Sequence, residues 1–339
     1  MTASQSLVIT GPYTFNRESV AIKPKVAKGH ARVITEYGGI CGSDLSVYKG
    51  KLAHANYPIV MGHELYGTVV EADDKGVFTQ GQKVVVQPNL SCGECDLCKK
   101  GKRNICRNKQ TLGVTKNGGF TGFIDVPVTN LLPIPQEMDG KLAVLIEPLA
   151  VIVHAFRNVT IEEGDTVAVL GCGTEGMLSA ILANLLGADV IAIDINQEKL
   201  KLMDVHEDIE AGLPGILGEE YDHVVEAAGV PQTIAQSFDV VKPGGNILAI
   251  GITGEPVSID ANKMVRSDVS VFGSIIYDFP KDFERALEFL KNYPKQFSHV
   301  VSKVYPFADY EKAFETALSG KAGKVLIDFK TCGDMSIKD

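Results

Sequence analysis

The stretch VAVLGCGTEG, residues 167–176, decides the fold of this chain. A short apolar run ends at Gly171-x-Gly173-x-x-Gly176, and the helical pattern EGMLSAILANLLG follows it. Glycines permit a tight turn and a close approach to the backbone, and the amino end of the helix attracts the negative charge of a pyrophosphate. Gly171, Gly173, Thr174 and Gly176 are therefore candidate dinucleotide-binding residues.

Short apolar strands alternate with helical segments around this turn. The strand candidates are DTVAVLG, DVIAID, YDHVVEAAG, GNILAIG and VSVFGSI. Such alternation predicts a doubly wound parallel sheet. The interval between Asp194 and Val224 is too short to hold a helix, an edge strand and a second helix comfortably. Residues 212–218 within it also have a low propensity to form a helix. We therefore expect an edge element that is lost or shortened.

Asp194 ends the second of these strands and lies 18 residues beyond Gly176. A carboxylate at this place accepts hydrogen bonds from the adenosine ribose and repels a 2′-phosphate. The next three residues are Ile195, Asn196 and Gln197, none of which carries a positive charge for such a phosphate. The pattern predicts NAD as the cofactor rather than NADP.

The region upstream has a different periodicity. From residue 6 to about 90, apolar and polar positions alternate between Gly and Pro turns, as in ARVITEYGG and GQKVVVQP, and GGFTGFIDVPVTNLLPIP continues the pattern. This alternation predicts antiparallel strands. The segment KLAVLIEPLAVIVHAF is a long apolar run with Pro148 near its start, typical of a buried helix. We expect that helix to bridge into the parallel-sheet region.

A cysteine cluster lies within NLSCGECDLCKKGKRNIC, residues 89–106. The spacing of Cys92, Cys95, Cys98 and Cys106 suits a closed tetrahedral zinc site that holds a loop together and does no chemistry. Two alternatives are a pair of disulfide-linked hairpins and a ferredoxin-like iron–sulfur loop. The ferredoxin pattern ends in Pro, whereas Arg107 follows the last cysteine here. Structural zinc is the favoured prediction.

Size and charge exclude several classes of protein. The length of 339 residues predicts two domains. With 33 Lys and Arg against 42 Asp and Glu, the net charge of −9 argues against a nucleic acid or an anionic membrane as partner. No apolar run approaches the length of a membrane span, and MTASQSLVIT lacks the features of a signal peptide. A cytoplasmic location is expected.

Three further motifs complete the pattern: GICGSD at 39–44, GHELYG at 62–67 and LIEPLAVIVHAF at 145–156. In this order, with the cysteine cluster and the glycine turn, they resemble the zinc-containing medium-chain dehydrogenase/reductase family over nearly the whole chain. Glu147 in its EPL context resembles the sorbitol/polyol dehydrogenase branch. The resemblance implies an α/β fold with a GroES-like, mostly antiparallel β catalytic domain and a Rossmann cofactor domain. It also implies a homo-oligomer, either a dimer or a tetramer.

The resemblance implies that the chain returns to its first domain. We expect the catalytic domain at residues 1–149 and 279–339, with the structural-zinc lobe at about 89–108. The Rossmann domain is expected at residues 150–278.

The same resemblance implies a catalytic zinc held by Cys41, His63 and then Glu64 or Glu147. An open zinc lowers the pKa of an alcohol and neutralises the alkoxide. Ser43 matches the hydroxyl that passes the alcohol proton outward.

Two neighbours of this set have implied roles as well. Asp44 is expected to orient the zinc-bound imidazole through its other nitrogen. Ser46 stands where many relatives carry a histidine, so the proton route must differ from theirs.

Other positions leave alternatives open. By the same resemblance, Lys199 matches a basic residue that the family often has beside the ribose. A lysine on a helix face is an equally good interpretation. Glu175 replaces a usually apolar residue near the nicotinamide; a solvated partner of the helix dipole is the favoured interpretation, and an active-site carboxylate is the alternative. Ile276 replaces an arginine that sorbitol dehydrogenases carry, although Tyr277 remains, which argues against sorbitol itself.

Together these features predict an enzyme, a zinc-dependent and NAD(H)-linked dehydrogenase. It is expected to oxidise a secondary alcohol of a small polyol or sugar-derived substrate to a ketone, or to catalyse the reverse. The alternatives are a threonine or 2,3-butanediol-type dehydrogenase and a non-catalytic dinucleotide-binding redox sensor.

Overall fold

The computed structural model describes residues 3–21, 23–73 and 78–332. Within these ranges the amino-terminal part consists mainly of antiparallel strands, as the period-two alternation predicts. Its strands are β1 (Ala3–Gly11), β2 (Thr14–Ala21), β3 (His30–Ile40), β4 (Ile59–Val60), β5 (Glu64–Ala72), β6 (Lys83–Val86), β7 (Asn89–Leu90), β8 (Gln110–Thr111), β9 (Phe123–Pro127) and β10 (Leu131–Pro133). Its helices are α1 (Gly42–Tyr48), α2 (Asp96–Lys99), α3 (Gly140–Ala143) and α4 (Ile146–Phe156).

The second part is a sheet in which every pairing is parallel. Its strands are β11 (Thr166–Leu170), β12 (Asp189–Ile193), β13 (Ile209–Gly212), β14 (Tyr221–Glu226), β15 (Val241–Ala249) and β16 (Ser270–Gly273). The connecting helices are α5 (Thr174–Leu185), α6 (Gln197–Met203), α7 (Pro231–Val240) and α8 (Ala261–Arg266). The strand order β13-β12-β11-β14-β15-β16 reverses direction at β11. That reversal opens a crevice at the carboxyl end of β11, directly before the glycine turn.

The outer rim of this sheet is reduced, as expected from the short interval before Val224. The edge strand β13 is present, but it has four residues. Between β13 and β14 the structure has a single 3-10 turn at Pro214–Ile216 in place of a helix. Pro214, Gly215 and Gly218 disfavour a longer helix there.

The chain then returns to the antiparallel part. The remaining elements are α9 (Lys281–Asn292), α10 (Pro294–Ser298), β17 (Val301–Pro306), α11 (Tyr310–Leu318) and β18 (Lys324–Asp328). β18 pairs antiparallel with β3 and parallel with β17, giving the order β10-β6-β5-β3-β18-β17, with β9 beside β3. The expected combination of an antiparallel β unit and a doubly wound parallel sheet is confirmed. The boundaries at 149/150 and 278/279 stay a prediction.

The helix predicted from KLAVLIEPLAVIVHAF is present as α4, preceded by the short α3. Nine of the eleven residues of α4 are buried, which explains why its sequence is apolar on every side. Its side chains join those of α5 and α9 in the largest apolar cluster of the described residues. None of the helices in these ranges has the length and apolar character needed to cross a membrane.

Candidate active site

Cys41 lies at the junction between β3 and α1. It is the residue before the first turn of α1, and its backbone N–H donates to Asp44 Oδ2 at 2.9 Å. This bond closes the amino end of the helix and fixes the extended backbone of Cys41. Burial raises the pKa of the Cys41 thiol, so a bound cation is what would favour its thiolate form.

His63 directly precedes β5, after a glycine that the fold requires. Gly62 has φ +89°, and a Cβ at this position would collide with the Phe120 ring. The imidazole is buried, with Nδ1 3.3 Å from Asp44 Oδ1 and Nε2 3.1 Å from Ser43 Oγ. Burial alone would lower the pKa of His63, but the Asp44 carboxylate and Cys41 together raise that pKa well above its ordinary value. Asp44 therefore lies beside one imidazole nitrogen and Ser43 beside the other, and the role of Asp44 in orienting a zinc-bound ring stays a prediction.

Cys41, His63 and Glu64 form a compact donor set. Each offers one ligand atom, and these atoms lie within 4.8 Å of one another. Glu64 Oε2 is buried and has no hydrogen-bond partner among the described residues. It occupies the space beside Gly39, where a Cβ would collide with it. Sulfur, nitrogen and carboxylate donors with one unpartnered oxygen fit a zinc ion.

Lys324 is a member of the site that the sequence analysis missed. It begins β18, is 2% exposed, and its Nζ contacts Glu64 Oε1 and lies 3.3 Å from the carbonyl oxygen of Ile40. Burial lowers the pKa of Lys324, but Glu64, Cys41 and Glu175 together offset this and hold the pKa above its ordinary value. The buried carboxylate is thus paired with a buried cation.

Glu147 approaches the donor set from the first turn of α4. Its Oε1 accepts a hydrogen bond from Tyr277 Oη at 2.8 Å, and Asn89 Nδ2 donates to the same Oη at 2.8 Å. Burial, with the Glu64 charge nearby, raises the pKa of Glu147 to about 7. Glu147 lies beside the compact set and is held by Tyr277, whereas Glu64 belongs to the set itself.

Glu175 lies close enough to this cluster to feel its charges. It is the second residue of α5, and it interacts electrostatically with Lys324, Glu64 and His63. Burial raises the pKa of its carboxyl, an effect opposed by Lys324. Its side chain is only partly buried, so the solvated partner of the helix dipole and the active-site carboxylate both stay predictions.

The glycine turn has the geometry expected of it. Gly171 has φ +100°, and a Cβ there would press against the backbone of Ala228 at 2.8 Å. A Cβ on Gly176 would collide with the carbonyl oxygen of Gly171. Gly173 precedes the helix, and Thr174 is its first residue. The turn leaves an open amino end of α5 that can receive a pyrophosphate.

Asp194 lies beside this turn at the end of β12. Its carboxylate accepts hydrogen bonds from the backbone N–H groups of Cys172 at 2.7 Å and Asn196 at 2.8 Å. Lys199 Nζ lies 3.4 Å from Asp194 Oδ2. Lys199 thus lies beside the carboxylate, and its role near the ribose stays a prediction.

The four cysteines of the loop converge on one point. Their sulfur atoms lie within 4.8 Å of one another, with Cys92–Cys106 at 3.5 Å and both Cys92–Cys98 and Cys95–Cys106 at 3.9 Å. A disulfide needs about 2.05 Å, so the disulfide alternative was wrong. Bonds of ~2.3 Å to one central ion place tetrahedral sulfurs about 3.8 Å apart. The arrangement fits a single structural zinc.

Comparison with known proteins finds dehydrogenases that are named for different substrates, L-threonine among them. Residues 27–136 match the family model described as alcohol dehydrogenase GroES-like domain, and residues 176–292 match zinc-binding dehydrogenase. Sorbitol dehydrogenase of Halalkalibacterium halodurans is 30% identical over 322 residues, 90% of this chain and 93% of that protein. L-galactonate-5-dehydrogenase of Escherichia coli is 29% identical, over 82% of this chain and 84% of that protein. A zinc-binding dehydrogenase of Sinorhizobium meliloti, solved with NADP, has a TM-score of 0.89 at 28% identity and covers 97% of this chain and 100% of its own.

Proposed function

The chain belongs to the zinc-containing medium-chain dehydrogenase/reductase family, and on that premise we propose that it is a zinc-dependent, NAD(H)-linked dehydrogenase. Its proposed reaction interconverts a secondary alcohol of a polyol or sugar-derived substrate and the corresponding ketone. The names of the sorbitol and L-galactonate relatives support this class of substrate.

One observation carries the proposal: the start of α5, which follows the glycine turn, packs against the segment that reaches the donor set. A Cβ on Gly323 would lie 2.6 Å from Met177 Cε in α5, and the next residue, Lys324, contacts Glu64. A carbinol carbon held at the donor set is therefore next to the place where a dinucleotide on the turn presents its reactive ring. A redox sensor without catalysis has no need of the Cys41, His63 and Glu64 set.

Each residue of the site has its own role in the proposed reaction. Cys41, His63 and Glu64 would hold the zinc ion, with Glu147 as the alternative carboxylate. When bound, the zinc ion would lower the pKa of the alcohol, and the dinucleotide would supply the hydride acceptor. We assign to Ser43 Oγ the acceptance of the hydroxyl proton, since it lies 3.1 Å from His63 Nε2 at the edge of the set.

The proton route beyond Ser43 is short. Ser46 Oγ donates to the carbonyl oxygen of Gly42 at 3.0 Å, so it is engaged within its own helix. We propose that the proton passes from Ser43 directly to water in the cleft.

The test is NAD reduction with a panel of polyols, sugar acids and their phosphates, measured before and after treatment with a chelator. Turnover should be lost with the metal and restored by added zinc. Ser43→Ala should lower kcat by roughly a hundredfold or more without changing the zinc content. Turnover that survives both chelation and Cys41→Ser would remove the zinc from the mechanism.

The proposal includes a homo-oligomer in the cytoplasm. β16 is the outer strand of the parallel sheet, and its Val271 side chain is 44% exposed. An open strand edge with exposed apolar side chains favours pairing with a second copy. No disulfide joins the described cysteines, which favours a reducing compartment.

A further inference from the structure

Residues 275–278, between β16 and α9, form a segment with one strained residue, and we call it the strained segment. Ile276 has φ +45°, a left-handed conformation that a β-branched residue rarely adopts. Such a conformation persists only where the surrounding contacts impose it, and residues of this kind are concentrated at functional sites. The contacts of the strained segment therefore show which residues impose its conformation.

Asp282 holds the carboxyl end of the strained segment. It lies in the first turn of α9 and is 2% exposed. Its Oδ2 accepts hydrogen bonds from the backbone N–H of Asp278 at 2.6 Å and from His154 Nδ1 at 2.7 Å, and its Oδ1 accepts one from Arg157 Nη1 at 3.1 Å. Burial alone would raise the pKa of Asp282, but these three partners together hold the pKa below its ordinary value. The Asp282 carboxylate thus stays a charged acceptor that fixes the backbone at Asp278.

Asn104 of the cysteine lobe holds the other end of the strained segment. Its Nδ2 lies 3.4 Å from the carbonyl oxygen of Ile275 and 3.4 Å from His154 Nε2. Because His154 Nδ1 donates to the Asp282 carboxylate, the ring with its proton on Nδ1 leaves Nε2 as the acceptor for the Asn104 amide. The His154 imidazole therefore joins the cysteine lobe, α4 and α9, and the strained segment is held at both ends.

The strained segment carries Tyr277 to Glu147. Tyr277 is 2% exposed, and its Oη donates to Glu147 Oε1 at 2.8 Å and accepts from Asn89 Nδ2 at 2.8 Å. Glu147 and His154 are seven positions apart in α4, which is about two turns, so they lie on one face of that helix. That face is therefore contacted at two points, by Tyr277 at Glu147 and by Asp282 at His154.

We propose that Asp282 and His154 are positioning residues of the active site, which hold the strained segment so that Tyr277 keeps Glu147 in its orientation beside the donor set. Both residues act through the Tyr277 hydroxyl rather than by contact with substrate or metal. Loss of the hydrogen bond from Tyr277 would free the Glu147 carboxylate to turn, so that the charge beside a bound ion would no longer be fixed. This inference rests on the proposed dehydrogenase function and adds residues to its site.

The experiment compares Tyr277→Phe, Asp282→Ala and His154→Leu with the wild-type holoenzyme. One quantity is kcat for sorbitol, L-galactonate and 2,3-butanediol with saturating NAD, and the other is the zinc Kd of the donor set, from competition with a chelator. Each variant should lower kcat and raise the zinc Kd by roughly tenfold, as removal of an outer partner of a metal site does, with KM little changed. Cys41→Ser gives the contribution of the cysteine lobe to the competition.

Two further variants separate positioning from a purely structural role. In His154→Asn the new amide can donate to Asp282 in place of Nδ1, so most of the kcat and of the zinc affinity should return. Asp282→Ala/Tyr277→Phe should be no worse than Tyr277→Phe alone, because both changes remove the same hydrogen bond to Glu147. Effects that multiply in the double variant would show that Asp282 acts by another route, and they overturn the inference. Should Asp282→Ala fail to fold, the comparison of His154→Leu with His154→Asn decides.

The matched control is Asp165→Ala, which breaks a second Asp–His pair. His223 Nε2 lies 3.2 Å from Asp165 Oδ2, at the amino ends of β11 and β14 and thus at the end of the sheet opposite to the glycine turn. This control should lower the melting temperature and leave kcat and the zinc Kd unchanged.

The outcomes for the clamp and for the reaction are distinguishable. If Asp282→Ala and His154→Leu lower only the melting temperature, as the control does, the inference is overturned and the dehydrogenase proposal stands. If no alcohol is oxidised, the proposed reaction fails, and the zinc Kd alone decides the role of the pair. A rise in the zinc Kd in Asp282→Ala and His154→Leu but not in Asp165→Ala then supports the inference, and an unchanged zinc Kd refutes it.

Discussion

Glu64 is the residue at which the opposing charges of the site meet. Lys324 contacts one carboxylate oxygen, and the other lies unpartnered near Cys41 and His63. Removing one partner of a buried ion pair costs about 3–5 kcal/mol, because the remaining charge stays buried. Lys324 is therefore as important to the resting site as the candidate ligands themselves.

Glu175→Val should weaken NAD binding relative to NADH. The nearby negative charge favours the positively charged oxidised ring, so its loss should shift the ratio of the two dissociation constants by roughly threefold to tenfold. The ratio is measured by titrating wild-type and variant proteins with both cofactors at one ionic strength. Glu311→Gln, which removes a first-turn carboxylate from α11, is the control and should leave the ratio unchanged. An unchanged ratio in Glu175→Val excludes a contact with the nicotinamide.

Asp194→Ala combined with Ile195→Arg should convert the cofactor preference. The first change removes the repulsion of a 2′-phosphate, and the second adds a cation at a site that is 84% exposed. The ratio of kcat/KM for NADP to that for NAD should rise about tenfold or more, equivalent to about 1.4 kcal/mol. Ile195→Arg alone should give a smaller change. Wild-type protein that uses both cofactors equally would refute this role of Asp194.

The pairing of β3 with β5 brings the donor set together at the scale of elements. Gly39 lies opposite Glu64 in the antiparallel register. Cys41 follows the end of β3, and His63 precedes the start of β5. Two neighbouring strand ends therefore present all three donors without a long loop, which gives the site a rigid base.

Gly39→Ala should damage the catalytic metal site while sparing the cysteine lobe. The added Cβ would collide with Glu64 Oε2, so the carboxylate must turn away from Cys41 and His63. We expect about one zinc ion per chain in place of two, by metal analysis, and loss of turnover. Gly11→Ala is the control, since a Cβ there meets nothing within 4 Å. Two zinc ions and full activity in Gly39→Ala would contradict this geometry.

The cysteine lobe should contribute to stability, whereas the donor set should contribute to turnover. Cys95→Ser breaks a closed four-sulfur site and should lower the free energy of unfolding by about 2–4 kcal/mol. Cys41→Ser should abolish turnover and leave the melting temperature nearly unchanged. Calorimetry and metal analysis on both variants check the distinction. Equal losses of stability would show that the two sites have been assigned the wrong roles.

At the scale of the whole molecule, patterns formed by neighbouring residues were predictable from the sequence. Contacts between residues that are far apart in the sequence were not. The glycine turn, the period-two strands and the cysteine spacing each depend on neighbouring residues, and all three are present in the structure. Lys324 meets Glu64 across 260 positions, and Asn89 meets Tyr277 across 188. The sequence around Lys324, which precedes VLIDF, does not identify the residue that pairs with it. That partner is determined by the pairing of β18 with β3. The direction of Glu175 likewise depends on how two folded units face each other.

The open edge at β16 leads to a prediction about assembly. Val271→Lys places a charge on the outer strand of the parallel sheet and should shift the proposed oligomer towards the monomer. Light scattering coupled to gel filtration measures the mass. Val205→Lys is the control, since Val205 is 50% exposed outside that strand. A wild-type monomer, or a variant that keeps its mass, would place any interface elsewhere.

The return of β18 also orders events during synthesis. Cys41, His63 and Glu64 leave the ribosome early, whereas Lys324 follows Glu64 by 260 positions. Domains fold from the amino end while translation continues. Until β18 arrives beside β3, the nascent chain carries an unneutralised Glu64 at the edge of an unfinished sheet. On the proposed function, we therefore expect a chain that is stalled before Lys324, with its cysteine lobe and glycine turn already made, to be inactive.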